Sequence, residues 1–381
     1  MTARRVLITG ARAAAALDLA RDFAAAGWDV HAADSTRARV LRWSGAAVVH
    51  AYPSPRREPD AFRAAVAQLM DHIEPDLVVP VCEEVFHLAA PELGEALGGR
   101  LAAPPRAVLT TLHDKLTFAR RCSAFGVAAP ETHRLAAPDD IRPFLADPAS
   151  WVFKPRFGRF GDRVLISPSA EEAACIRPSP GAEWLAQRRV RGDEASFYAV
   201  AREGRLIAFC AYRSDWRLRG GAAIAFEPVG AADADRLREA ATRIAQGTGL
   251  TGQFACDAIL NDDGAWLIEC NPRATSGVHL VAGRGDLAGA LADGTPMPDS
   301  PAQPAHLGPA MALFGLPDAL RRRDLDGWRR ARRRGREVLG SPRATLGALT
   351  DAGAFALAGL ASGTSLTAAS TADIEWNGDR A

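Results

Sequence analysis

Short apolar runs alternate with stretches of helical spacing along the first hundred residues. In the helical stretches, apolar residues recur every three or four positions. The pattern predicts strands at 4–9, 28–34, 46–52 and 76–81 and helices at 11–27, 60–72 and 83–97. Strands that alternate with helices are typical of a parallel, doubly wound sheet. We therefore expect an N-terminal α/β domain with a parallel sheet over residues 1–104, closed by Pro104 and Pro105.

The pattern changes to strands joined by tight turns from about residue 183. The elements predicted after the first domain are a helix at 111–125, a strand at 150–156, a glycine loop at 156–162, strand-rich stretches at 184–190 and 196–213, a helix at 233–248 and a hairpin at 253–271. This order predicts α+β domains with antiparallel sheets over 105–182 and 183–298. A Pro-rich linker at 296–309 leads into an extension, 299–381, in which we expect DIEWNG to form a closing strand and turn.

The hairpin at 253–271 brings acidic residues together. If its turn is centred on Asp263, with Gly264 in the left-handed position, antiparallel pairing places Asp257 opposite Glu269. Because side chains alternate along a strand, Asn271 joins the same face. The same alternation predicts that Ile268 and Cys270 point into the core.

Three oxygen ligands on one face indicate a magnesium site. Two of them are anionic and no His or Cys accompanies them, which favours Mg²⁺ over Zn²⁺. Arg273 follows two residues later, where its guanidinium can hold a carboxylate or an acyl phosphate. The alternatives are a solvated edge hairpin and, for Arg273, a surface ion pair.

Composition narrows the classes of function. The chain has 381 residues, a net charge of +1 and 48% hydrophobic residues, so no global field indicates nucleic acid or an anionic membrane. Six scattered cysteines indicate reduced thiols in the cytoplasm, and no run approaches the ~18 uninterrupted apolar residues of a membrane helix. The arginine-rich run 321–336 leaves RNA binding open, but a solvated helix face is favoured.

Lysine is almost absent from this chain. Among 46 Lys and Arg residues only Lys115 and Lys154 are lysines. Lysine is a compact point charge on a thin stem, whereas arginine is a planar fork, so a narrow phosphate pocket can select lysine. The alternative is that two surface lysines persist by chance.

The hairpin ending in ECNPR resembles the metal-binding signature of the ATP-grasp superfamily, most closely members related to carbamoyl-phosphate synthetase large subunits and biotin carboxylases. The resemblance implies that Asp257, Glu269 and Asn271 bind magnesium, with manganese as a substitute. It also implies that Arg273 holds the reacting carboxylate. The N-terminal α/β unit corresponds to the domain that precedes the ATP-grasp domains in such enzymes.

The same resemblance gives both lysines a role. Lys115 in HDKLTF and Lys154 in VFKP stand where the family grips the nucleotide phosphates, and Lys154 would also act in catalysis. The loop RFGRFGD would close over the phosphates, with Gly158 and Gly161 allowing close approach. In AQRRVRGDE, the resemblance implies that the adenine and ribose are held by Gln187, Val190 and Glu194.

The resemblance implies a ligase that uses ATP and Mg²⁺ to join a small carboxylate to an amine through an acyl phosphate. Candidates for substrate contacts are Glu83, Arg213, Arg217 and His279. The alternatives are that Glu83 only begins a helix, that the two arginines lie in a solvated loop, and that His279 is a buried structural histidine. Three other functions stay open: a carboxylase that works through carboxyphosphate, an NAD(P)-linked oxidoreductase and a non-catalytic nucleotide-binding regulator. The chain could also form a homodimer.

Overall fold

The structure is a computed structural model that describes residues 3–159, 161, 163–218, 221–298 and 302–378. Two positions of the glycine loop, 160 and 162, lie outside the described residues. The strands of the described part form three sheets, one of four parallel strands, one of four antiparallel strands and one of seven mostly antiparallel strands. This confirms the predicted α/β unit followed by α+β units, while the domain boundaries stay a prediction.

The first sheet is fully parallel, with strand order β3-β2-β1-β4. Its elements are β1 (Arg5–Thr9), α1 (Ala14–Ala25), β2 (Asp29–Asp34), α2 (Arg39–Ser44), β3 (Val48–Ala51), α3 (Pro59–Ile73), β4 (Leu77–Pro80), α4 (Glu84–Leu88) and α5 (Gly94–Leu97). The single helix predicted over 83–97 was wrong. Pro91 begins a short 3-10 turn between α4 and α5, because proline cannot continue the preceding helix.

The second sheet is antiparallel, with order β5-β8-β6-β7. The elements of this region are α6 (Arg106–His113), α7 (Lys115–Cys122), β5 (Thr132–Leu135), β6 (Trp151–Pro155), β7 (Leu165–Ile166), α8 (Ala170–Ala174) and β8 (Trp184–Arg188). The single helix predicted over 111–125 is two helices. Asp114 breaks it because its side chain caps α7 by accepting from the Leu116 amide, which makes Lys115 the first residue of α7.

The third sheet has order β13-β12-β9-β10-β11-β14-β15. Its first five strands along the chain and the adjoining helix are β9 (Asp193–Arg202), β10 (Arg205–Arg213), β11 (Ala225–Pro228), α9 (Ala231–Thr248), β12 (Gly252–Asn261) and β13 (Gly264–Asn271). The other two strands, β14 (Ala305–His306) and β15 (Arg336–Glu337), come from the C-terminal part of the chain. Tyr198 and Val200 of β9 share a buried cluster with Val6 and Ile8 of β1. The parallel sheet therefore shares one buried core with the sheet that carries the acidic hairpin β12–β13.

The hairpin β12–β13 contains a β-bulge that the sequence did not indicate. Asp257 pairs with Glu269 as predicted, but Ala258 pairs with Leu267, so Ile268 has no partner on β12. The turn consists of the two residues between Asn261 and Gly264, so the pairing next to the turn is shifted by one residue from the predicted register. The bulge at Ile268 compensates for this shift, and Asp257 therefore still pairs with Glu269. The predicted core position of Ile268 was wrong: Leu267 is buried instead, next to the buried Cys270.

The remaining chain packs against the parallel sheet and the seven-stranded sheet. Its elements are α10 (Val278–Val281), α11 (Asp286–Asp293), β14 (Ala305–His306), α12 (Gly308–Ala310), a π-helical turn (Met311–Gly315), α13 (Leu316–Arg322), α14 (Leu325–Arg334), β15 (Arg336–Glu337), α15 (Pro342–Ser362) and α16 (Leu366–Ala369). By length and composition alone, α15 is apolar enough to cross a membrane. The sequence pattern gave no such indication because Gly, Thr and Asp351 interrupt the apolar residues, and Asp351 pairs with Arg39 of α2.

Residues 370–378 form a strap across the parallel sheet and α4, and we call them the 370–378 strap. The predicted closing strand was wrong: the segment makes turns and then runs without regular structure. Trp376 is buried and its ring stacks on Phe86 of α4 with a centroid distance of 4.6 Å. The segment is therefore fixed by side-chain packing rather than by strand pairing.

Candidate active site

Lys154 lies on β6 and is buried against the acidic hairpin β12–β13. Its ammonium donates to the Gln187 side-chain oxygen at 2.9 Å and to the Ile268 carbonyl at 3.0 Å. That carbonyl belongs to the bulged residue of β13. Burial lowers the pKa of Lys154 to about 8, although the carboxylates of Glu269 and Asp257 favour the charged form.

Lys115 faces the same hairpin from the start of α7. Its ammonium lies 3.3 Å from a carboxylate oxygen of Glu269 and donates to the Gly158 carbonyl at 2.8 Å. The two lysines, Glu269 and the first part of the glycine loop therefore meet at one place. Asp114, which caps α7, pairs with Arg156, the residue that directly follows β6. Because Lys154 lies on β6, this ion pair joins the two elements that carry the lysines.

Asp257 and Glu269 form a coupled acidic pair. Burial and then the neighbouring carboxylate of Glu269 raise the pKa of Asp257, although Ser196 donates a hydrogen bond to it at 2.5 Å. Burial opposes the charge on Glu269 too, but Lys115 and Lys154 outweigh it and hold the pKa of Glu269 low. One carboxylate of the pair is thus matched by lysines, whereas for the other the attraction of Arg217 is outweighed by burial and by the neighbouring carboxylate.

These residues fit a magnesium ion. Two carboxylates face each other across the hairpin, and Asn271, the next residue on that face of β13, adds an amide oxygen. A divalent cation would stabilise the charged form of Asp257, which a second carboxylate now opposes. No group of three or more His, Cys, Asp or Glu side chains suited to a metal occurs in the described part of the chain, so the shell would be completed by Asn271, water and phosphate oxygens.

Arg273 lies beside the hairpin with part of its guanidinium unused. One terminal nitrogen donates to the Asn271 side-chain oxygen at 3.2 Å and lies 4.0 Å from Glu83. Its buried Nε and the buried hydroxyl of Thr275 have no hydrogen-bond partner among the described residues. Buried donors normally have a partner, so this corner suits a polar or anionic substrate group.

The predicted nucleotide hinge runs from β8 to β9. The Gln187 side chain is buried, its oxygen accepts from Lys154 and its nitrogen donates to Thr132, so these two bonds leave one N–H of the amide unused. Val190 lies between the two strands, and Glu194, the second residue of β9, pairs with Arg217 at 2.8 Å. Gly192 allows this turn, because a Cβ at that position would lie 2.2 Å from the Leu260 carbonyl.

Other predicted substrate residues have protein partners. The carboxylate of Glu83 is buried and binds Arg159 of the glycine loop. His279 is buried and shares a hydrogen bond of 2.8 Å with Asp18 of α1, as the structural alternative predicted. Arg213 is exposed at the end of β10.

The carboxyl edge of the parallel sheet does not match a dinucleotide site. Asp34, at the end of β2, accepts from the Arg12 guanidinium and from Thr36. Arg12 also pairs with Asp373 of the 370–378 strap at 2.6 Å. The acid that an NAD(P) site would need for ribose is therefore already engaged.

Sequence reasoning missed four residues that organise the site. They are Asp114, Arg156, Arg159 and Ser196. Asp114 precedes Lys115 and has the residue type of a helix cap, so the capping preference was a signal for the break. Arg156 binds Asp114, 42 positions away, Arg159 binds Glu83, 76 positions away, and Ser196 binds Asp257, 61 positions away, and no local pattern encodes such pairs.

The comparisons with known proteins agree with this geometry. Residues 112–277 match the sequence model of the ATP-grasp domain family. No curated protein matches the sequence. Among solved structures, phosphoribosylamine–glycine ligase from Thermotoga maritima superposes with a TM-score of 0.58 at 16% identity, covering 79% of this chain and 78% of that one.

Two further structures show the same fold. N5-carboxyaminoimidazole synthetase from Staphylococcus aureus has a TM-score of 0.62 at 15% identity and covers 83% of this chain and 88% of its own. The L-amino acid ligase from Bacillus licheniformis has a TM-score of 0.55 at 14% identity, covering 76% and 75%. We conclude that residues 112–277 of this chain form an ATP-grasp domain.

Proposed function

We propose that this protein is an ATP- and Mg²⁺-dependent ligase that activates a small carboxylate and joins it to an amine. The observation that carries the proposal is the meeting of the chain's two lysines with the acidic hairpin, since Lys115 lies 3.3 Å from Glu269 and Lys154 is bonded to the carbonyl beside it. Ammonium groups opposite carboxylates that fit a divalent cation are the arrangement that a polyphosphate requires.

The proposed reaction has two steps. A carboxylate oxygen attacks the γ-phosphorus of ATP, the bond to the ADP oxygen breaks, and an acyl phosphate forms. The amine nitrogen then attacks the acyl carbon, inorganic phosphate leaves, and the nitrogen gives up one proton to yield an amide. Magnesium would neutralise phosphate charge during the first step.

The residues of this chain have distinct roles in the proposal. Lys115 and Lys154 hold the phosphates, and Glu194 holds the ribose. Asp257, Glu269 and Asn271 hold the metal, which Mn²⁺ can replace. The unpaired Nε of Arg273 supports its assignment to the reacting carboxylate, and Thr275 lies close by with a free hydroxyl. Val190 offers its backbone to adenine, and Gly158 and Gly161 let the loop approach the phosphates.

The acid and the amine are proposed by class, as amino-acid-like molecules. The similar structures include an L-amino acid ligase and a phosphoribosylamine–glycine ligase, both named for joining an amino acid. The N5-carboxyaminoimidazole synthetases among them favour a second candidate, in which bicarbonate is the acid and carboxyphosphate the intermediate.

A phosphate-release screen tests the proposal. Purified protein receives ATP and Mg²⁺ with amino acids singly and in pairs, and with bicarbonate plus amines, and products are identified by mass spectrometry. We expect ADP and phosphate release that requires both an acid and an amine. Release with bicarbonate alone as the acid would select the second candidate. ATP binding without turnover across the panel would contradict a ligase and indicate a regulator.

A further inference from the structure

The glycine loop is anchored by a buried arginine that reaches away from the hairpin. Arg159 is only 10% exposed and donates to both oxygens of Glu83, which follows β4 in the parallel-sheet domain. Its other terminal nitrogen donates to the Asn377 side-chain oxygen at 3.0 Å. The terminal nitrogen that binds Glu83 also donates to the Trp376 carbonyl at 2.9 Å. Glu83 directly precedes α4, and the other two partners belong to the 370–378 strap.

The 370–378 strap is itself fixed to the parallel-sheet domain. Asp373 accepts from Arg12 at 2.6 Å and from Ser35, and its carbonyl accepts from Ser54. The Trp376 amide donates to Glu83 at 3.2 Å. The strap is therefore attached to the parallel-sheet domain immediately before the point at which it holds Arg159.

Aromatic packing fixes the beginning of the loop as well. Trp376 stacks on Phe86, and its ring centroid lies 5.8 Å from that of Phe157 in an edge-to-face arrangement. A Cβ on Gly378 would lie 2.8 Å from the Phe157 ring, so the strap approaches the loop at the closest distance that glycine permits. Residues 157–159 are thus held between α4 and the strap.

The anchored residues adjoin the phosphate-binding lysine. Gly158, between Phe157 and Arg159, is the residue whose carbonyl accepts from Lys115. A shift of the loop's beginning would move this carbonyl and with it the ammonium that faces Glu269. The position of the strap is therefore linked to the phosphate site through one residue.

We propose that the 370–378 strap positions the glycine loop for nucleotide binding, with Arg159 and Asn377 as positioning residues. The strap restricts the motion of residues 157–159, so less conformational entropy is lost when the loop binds the phosphates. This inference rests on the proposed nucleotide site but not on the identity of the acid or the amine.

The test measures binding of a non-hydrolysable ATP analogue with Mg²⁺ to the full chain and to three variants. Asn377→Ala and a chain cut after Glu375 each remove loop contacts, and we expect Kd to rise by about threefold and about tenfold respectively. Asn377→Asp keeps an acceptor oxygen for Arg159 and should restore the affinity. Hydrogen exchange of residues 155–164 should quicken in the two weakened proteins, even with saturating analogue.

The matched control is Ser370→Ala. The Ser370 hydroxyl lies on the same strap but donates to the Thr367 carbonyl at 2.7 Å and to no described residue of the loop, so affinity and loop exchange should stay unchanged. Unchanged Kd and loop exchange in both Asn377→Ala and the shortened chain would overturn the inference. A wild-type chain that fails to bind the analogue would instead overturn the proposed function, so the two failures are distinguishable.

Discussion

The ammonium of Lys154 donates a hydrogen bond to the backbone carbonyl of Ile268, 3.0 Å away. Ile268 is the residue that the β-bulge leaves without a partner on β12, so its carbonyl is free to accept from another element. The bulge therefore joins β6, which carries the lysine, to the hairpin that carries the acids. Asp257 and Glu269 stay paired on one side of the bulge while the turn on the other side is only two residues long.

Lys154→Arg should weaken nucleotide binding although it keeps the charge. The buried ammonium fits between the Gln187 oxygen and the Ile268 carbonyl, and a planar guanidinium is too wide for that space. We expect the Kd for an ATP analogue to rise by about tenfold or more. Calorimetry measures it, with Arg188→Lys on the exposed face of β8 as the control. Equal affinity in Lys154→Arg would show that the lysine has no steric role.

Glu269→Gln should raise the Mg²⁺ requirement of the reaction while the fold is kept. The change preserves the shape of the side chain but removes the charge that Lys115 and Lys154 now stabilise. We expect the Mg²⁺ concentration for half-maximal ADP formation to rise by about a hundredfold, in the range for loss of a metal partner. Asp263→Asn, at the exposed turn of the same hairpin, should leave it unchanged. A Glu269→Gln protein with wild-type Mg²⁺ dependence would refute the metal assignment.

Gly192→Ala should damage the hinge between the second and third sheets. Its Cβ would lie 2.2 Å from the Leu260 carbonyl, so the strand start that carries Glu194 has to move. We expect a loss of about 1–3 kcal/mol in the free energy of unfolding and a weaker affinity for ATP. Gly230→Ala is the control, since nothing lies within 4 Å of a Cβ there. Urea unfolding and analogue binding measure both effects, and a neutral Gly192→Ala would disprove this packing.

Asp18→Asn should destabilise the protein in a pH-dependent way. Burial opposes the charge on Asp18, but His279 and Arg336 outweigh it and lower the pKa from 3.8 to about 2. Because the folded pKa is below the unfolded value, the contribution, about 2 kcal/mol, is complete above pH 4 and is lost as the pH falls towards 2. The stability gap between wild type and Asp18→Asn, followed by urea unfolding, should shrink over that window. A constant gap from pH 6 to pH 2 would contradict the ion-pair origin.

Elements with a strong local signal were predictable from the sequence. The alternation of strands and helices gave the parallel sheet, and side-chain alternation gave the pairing of Asp257 with Glu269. The register at the acids was correct although the turn was placed differently, because the bulge at Ile268 offset the difference. A bulge depends on contacts of the whole sheet, and its carbonyl finds a partner 114 positions away in Lys154.

The parts that sequence analysis missed depend on long-range contacts. Glu83 was a candidate for substrate contact because acids at a sheet edge face a cleft, but Arg159 occupies it. His279 stood close to the acyl-phosphate site in sequence, yet α1 supplies its partner Asp18. The strap around Trp376 carries no periodic pattern, since its burial comes from aromatic packing on α4. Such pairs are set by the packing of distant elements and not by spacing.

The most direct test of the central claim is a crystal structure of the protein with a non-hydrolysable ATP analogue and Mg²⁺. The account predicts phosphate oxygens in contact with the ammonium groups of Lys115 and Lys154, and metal bound by Asp257, Glu269 and Asn271. A nucleotide bound at the carboxyl edge of the parallel sheet, or phosphates that contact neither lysine, would contradict it.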